Sequence, residues 1–163
     1  MEVNLVEIWL RRDPVRWIAG ALAGLFAGLI ALAFAMVLSS AAGGDFWFPA
    51  KILGTILVGP FATEYGLNWS SILSGVLVLE AMGLFWGVVY AHMTGTNSLQ
   101  ALLPIGLVWG IFSWIFIWNL FLQSFQPLHA AGVASSVALF VCLVYGLSLT
   151  SVSFFDRALR GSV

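Results

Sequence analysis

The sequence predicts an all-α integral membrane protein, with four transmembrane helices and a short interfacial helix between the first and second. Three observations carry that prediction. Hydrophobic residues make up 61% of the 163-residue chain and charged residues 8%, with mean hydropathy +1.04. Soluble domains run at roughly 45–50% apolar and about 25% charged, so a water-soluble fold of this length could not cover its surface. Four apolar runs also approach the roughly 20 residues needed to cross a hydrocarbon core of about 30 Å. Finally, glycines recur along single helical faces within those runs, as close helix contacts in lipid require.

The whole chain, 1–163, is read as one transmembrane domain. Its first span runs over about Trp17–Ser39, started by Asp13 as a helix cap and Pro14 in the first turn. The polar lead Met1–Arg16 and the length of the run argue against a cleavable signal peptide. Gly43-Gly44-Asp45 ends this helix. The segment 45–65 then opens with the aromatic knot Phe46, Trp47 and Phe48, suited to a membrane interface. Pro49–Gly59 is too short to span, so it is expected to lie in the outer interface or dip into it; a re-entrant loop is the sharper alternative. Glu64, Tyr65 and Asn68 form a polar exit. The second span covers about Ser70–Ala91, the third Ala101–Gln123 and the fourth Leu128–Phe155.

Lys and Arg set the orientation. Arg11, Arg12, Arg16, Arg157 and Arg160 share the side of both termini, against Lys51 alone opposite. The positive-inside rule places both termini in the cytoplasm of a multi-pass protein in the bacterial inner membrane. A net charge of −1 and the lack of a basic cluster exclude nucleic acid as a partner. The expected partners are the lipid bilayer and other integral membrane subunits. The single cysteine, Cys142, excludes a disulfide framework.

Helix packing is foreshadowed by Gly20, Gly24 and Gly28 in the first span, Gly83 and Gly87 in the second, and Gly106 and Gly110 in the third. The third span also carries Trp114, Trp118, Phe121 and Phe125 at spacings of four, three and four. That stripe suits lipid, a neighbouring subunit, or a quinone tail or pigment. Eight tryptophans in so short a chain favour a protein partner.

Glu80 is the one formal charge inside the predicted spans, and it stands near the middle of the second. A carboxylate there costs several kcal/mol unless it is protonated, paired or hydrated. It shares a face with Gly83 and Gly87, which points it at a helix contact. Ser113 and Tyr145, at similar depth, are candidate donors to it. Asn119 is expected to hydrogen-bond to a neighbouring helix. His92 and His129 close opposite ends of their spans, about 30 Å apart, so they cannot ligate one metal or one haem within the chain. No metal-ligand cluster, phosphate loop, nucleophile elbow or paired intramembrane carboxylates appear. Hence no catalytic residues, no metal and no cofactor of its own are expected, only contact with a quinone, haem or chlorin held by a partner.

The order Asp13-Pro14, the Gly/Ala-rich stretch Ala19–Gly28, Phe46–Pro49, Lys51–Pro60, Glu80 with Gly83–Gly87, and Gly106–Gly110 before Pro127 resembles a group of uncharacterised bacterial four-helix inner-membrane proteins. That group is loosely similar to the YagU-like families, whose members carry His near the position of Glu80. The resemblance implies a self-contained membrane protein of envelope or acid-stress maintenance, and it carries over no site residue. The residues themselves favour a non-catalytic accessory subunit of a membrane complex, respiratory or photosynthetic, that packs, stabilises and helps to shape a quinone or lipid site. A homo-oligomeric proton, ion or small-solute channel or transporter using Glu80 is the alternative.

Overall fold

The computed structural model describes residues 12–121, 124 and 134–161. Among these the chain is helical without strands, and four helices are long and apolar enough to cross a membrane. Helix α1 (Pro14–Ala41) begins where Asp13 accepts the Arg16 backbone N–H at 3.2 Å, with Pro14 in the first turn. Both features answer the orphaned donors of a helix start. The short apolar helix α2 (Phe48–Val58) ends at Gly59, whose φ of +83° only glycine adopts freely, and a tight turn over Pro60–Thr63 follows. Asn68 caps α3 (Trp69–Thr94), accepting from the Ser71 N–H at 3.3 Å, and Gly95 ends it in the left-handed region.

Helix α4 (Leu99–Ser113) passes into a wider π-helical stretch over Trp114–Phe121. The fourth rod is α5 (Ser135–Ser148), a tight turn over Leu149–Ser151, and α6 (Val152–Gly161). It continues past the predicted end at Phe155. The predicted limits Gln123 and Leu128 lie outside the described residues.

Two helix pairs organise the bundle. In lipid there is little hydrophobic drive between helices, so close approach and dispersion must hold them. Helices α1 and α3 meet backbone to backbone: a Cβ on Gly20 would stand 2.5 Å from the Gly87 oxygen, and one on Gly24 would intrude on the Gly83 carbonyl. Helices α4 and α5 do the same, with Gly106 against Gly146 and Gly110 against the Cys142 carbonyl; added Cβ atoms there would lie at 2.6 and 2.7 Å. Helix α2 crosses the start of α3, where Gly54 meets Ser71 and Gly75 meets Ala50.

The pairs join along α1, which packs on α5 and α6, whereas α3 and α4 share few backbone contacts. Side-chain rings bridge that seam. Trp86 lies 6.0 Å from Trp109, 5.7 Å from Phe112 and 5.4 Å from Phe116, measured between centroids. Tyr90 completes the bridge by donating to the Leu102 carbonyl at 3.3 Å.

Candidate functional site: an apolar cleft with a half-buried carboxylate behind it

Glu80 sits on the side of α3 that faces α1. Its Oε1 would be 3.3 Å from a Cβ on Gly28, so at this level a side chain, and no longer a backbone, fills the gap left by glycine. Oε1 is enclosed and has no hydrogen-bond partner among the described residues. The Tyr145 hydroxyl is likewise enclosed and unpartnered. The expected Tyr145-to-Glu80 hydrogen bond is therefore not made, although the two lie within electrostatic reach. Ser113 is buried in the wall of a cavity and makes no bond to Glu80 either. Asn119 departs from expectation too: it is exposed and donates to the Trp114 carbonyl of its own helix at 3.0 Å. The reason is local, because a π-helical turn brings the side chain at i+5 over the carbonyl at i.

The same winding alters the aromatic stripe. At the wider pitch, the spacings of four and three from Trp114 to Phe121 do not stay in line. Trp114 is half-buried, with its indole N–H unpartnered. Nothing is described for the side chains of Trp118 and Phe121, and Phe125 and His129 lie outside the described residues. The aromatic surface that the structure does describe is the ring bridge at the α3–α4 seam, extended outward by Phe85, which is 58% exposed.

A cavity of about 950 Å³ opens between the two pairs in the half of the bundle away from Asp13. All the long helices and α2 contribute to it, for example through Ala35, Ile52, Met82, Ile117 and Val141. Its base is closed by Gly83, Trp86 and Tyr145. Its rim carries the polar groups Ser39, Asp45, Thr63 and Tyr65. It exists because α3 and α4 are held apart by rings at one end and are not drawn together by glycine at the other.

Two ionic clasps fix the ends of the bundle. At the Asp45 end, Lys51 is fully buried; its ammonium donates to Asp45, to the Glu64 carbonyl at 2.8 Å and to the Gly66 carbonyl at 2.6 Å. Burial alone would raise the Asp45 carboxyl. The hydrogen bond and charge of Lys51, with the Trp47 N–H, outweigh it and hold the group below its ordinary value.

At the Asp13 end, Arg16 is buried, donating to the Ala91 and Thr96 carbonyls, the Thr94 hydroxyl and Asn97. It also lies 3.5 Å from the buried Asp156, which accepts from Asn97 and Arg160. Arg160 closes the ring on Asp13 at 2.5 Å. His92 sits beside this clasp and accepts the Trp17 indole N–H on Nδ1 at 3.2 Å.

Neither clasp was visible in the sequence, because each partner there reads as an ordinary helix-end charge. No three His, Cys, Asp or Glu side chains among the described residues gather as a metal site. Compared with protein-family models, curated proteins and solved structures, the chain matches none.

Proposed function

We propose that this multi-pass membrane protein is a non-catalytic accessory subunit of a larger bacterial inner-membrane complex, with both termini in the cytoplasm. Its role is to pack against partner helices and to hold a lipid or quinone in its cleft. Respiratory and photosynthetic electron-transfer complexes are the first class to test. The observation that carries the reading is the ring ridge at the α3–α4 seam. Phe85, Phe112 and Phe116 are 58%, 41% and 38% exposed there, beside a seam with little backbone contact of its own. Large rigid rings presented together are what binding hot spots use.

Native mass in mild detergent, with identification of co-purifying subunits, tests the reading. Stoichiometric membrane partners are expected, and Phe85→Ala with Phe116→Ala should weaken that association at least about tenfold, or ~1.4 kcal/mol. A clean monomer or homo-oligomer overturns the subunit role.

One observation favours the transport alternative, namely the enclosed and unpartnered Glu80 Oε1. A proton or ion moving through the bundle would need such a group. Under that alternative, Glu80→Gln abolishes flux in proteoliposomes while helicity is kept. Undiminished flux, or none in the wild type, removes it.

A further inference from the structure

We propose that the cleft is a binding site for one phospholipid of the leaflet at the Asp45 end, and that it selects a zwitterionic, amine-bearing head over an anionic one. The dimensions come first. Along α1 the wall runs from Ala31 to the cap residue Ala42, and along the fourth rod from Ala134 to Tyr145. Eleven residues at about 1.5 Å each give roughly 16 Å, one half of a hydrocarbon core of about 30 Å. The cleft is thus as deep as a single leaflet. Its volume of about 950 Å³ lies at the upper end of small-molecule sites, which run to roughly 1,000 Å³.

Polarity sets the direction of entry. The walls are apolar apart from Ser113, the base is closed by Gly83, Trp86 and Tyr145, and the other hydroxyls gather with the one carboxylate at the rim. An amphiphile therefore enters with its chains toward Trp86 and leaves its head beside Asp45.

Charge then selects the head. Asp45 is the one charged side chain among the described lining residues. Among the described residues, the one Lys or Arg at the Asp45 end is Lys51, fully buried and bound to Asp45, so no free cation there meets a phosphate-only head. An ammonium group can share the Asp45 carboxylate, which has lone pairs beyond those used by Lys51 and the Trp47 N–H. Its phosphate has the Tyr65 hydroxyl as a donor at the same rim, whereas the Thr63 hydroxyl already donates to the Pro60 carbonyl at 3.1 Å. A glycerol head brings the same phosphate without an ammonium group to make that charge-assisted hydrogen bond.

The inference deepens the lipid-or-quinone part of the accessory role without needing a partner subunit. The full-length protein, stripped of lipid in detergent, is titrated with phosphatidylethanolamine, phosphatidylglycerol and a decyl-benzoquinone, and read by native mass spectrometry and thermal unfolding. One phosphatidylethanolamine per chain is expected, retained at least about fivefold better than phosphatidylglycerol. Val141→Trp and, independently, Met82→Trp fill the cleft and should abolish retention while the lipid-free protein stays helical. Asp45→Asn should level the preference between the two phospholipids.

Equal or better retention of phosphatidylglycerol, displacement of phospholipid by the quinone, or retention that survives both tryptophan variants overturns the proposal. A chain that purifies without partners yet retains phosphatidylethanolamine sinks the accessory role and leaves the lipid site standing. Partner subunits recovered with no lipid preference do the reverse.

Discussion

Lys51 shows how far a residue's role can differ from its place in a hydropathy pattern. In the sequence it is the lone positive charge opposite the termini, useful for orientation. In the fold it is the buried post around which Asp45 and the Glu64–Gly66 backbone are arranged. Nothing local could have announced this, because its partners are set by the return of the chain after α2. Removing one member of a buried pair leaves the other uncompensated, so Lys51→Met should cost about 3 kcal/mol, or roughly 6–12 °C in a chain of this size. Thermal unfolding in detergent measures it, and adding Asp45→Asn should restore part of the loss. No loss in Lys51→Met would mean that the clasp is energetically idle.

Acid tests the same pair from the other side. The folded Asp45 carboxyl is held below its ordinary value, so its contribution is complete above that value, near pH 4. It fades as pH falls further, through the lowered folded value. The fall in unfolding temperature between pH 6 and pH 3 should accordingly be larger in the wild type than in Asp45→Asn. Equal slopes would assign the acid sensitivity to other carboxyls.

At the level of elements, the sequence was informative where glycines repeat at four-residue spacing within one helix and silent where they do not. Gly20, Gly24, Gly83, Gly87, Gly106 and Gly110 each belong to a four-residue repeat, and each makes a backbone contact. Gly146, Gly54 and Gly75 make contacts just as close, but none has a second glycine four residues away in its helix, so the glycine periodicity did not mark them. The interface between α1 and α3 also changes character along its length. A Cβ on Gly24 would strike the Gly83 carbonyl, which cannot yield without separating the helices. A Cβ on Gly28 meets a carboxylate oxygen at 3.3 Å, at the end of a flexible side chain. Gly24→Ala should therefore destabilise the bundle by about 1–3 kcal/mol, in the manner of an overpacked core. Gly28→Ala should stay within roughly 0.5 kcal/mol, the range of substitutions that break no named interaction. Matching losses in the two variants would show that the helices do not meet as described.

For the molecule as a whole, composition made the membrane class and helix count legible, because length and hydropathy bear directly on them. The cleft was not legible: it is what remains between two glycine-sealed pairs when rings prop open the third seam, and that is a property of assembly. Orientation stands between these cases. The end that joins Asp13 to Arg160 carries most of the basic residues, but Arg16 and Arg160 are both engaged with acids there. Pairing neutralises them in the finished fold, whereas insertion reads the charges before α1 and α6 have met. The positive-inside bias acts at that earlier step and should still hold. In a Cys142→Ala background, Tyr65→Cys, at a position 90% exposed on the Asp45 end, should react with a membrane-impermeant maleimide in intact cells. Gly161→Cys should react only after the cells are opened. The reverse pattern would invert the molecule, and with it the leaflet from which the cleft draws its lipid.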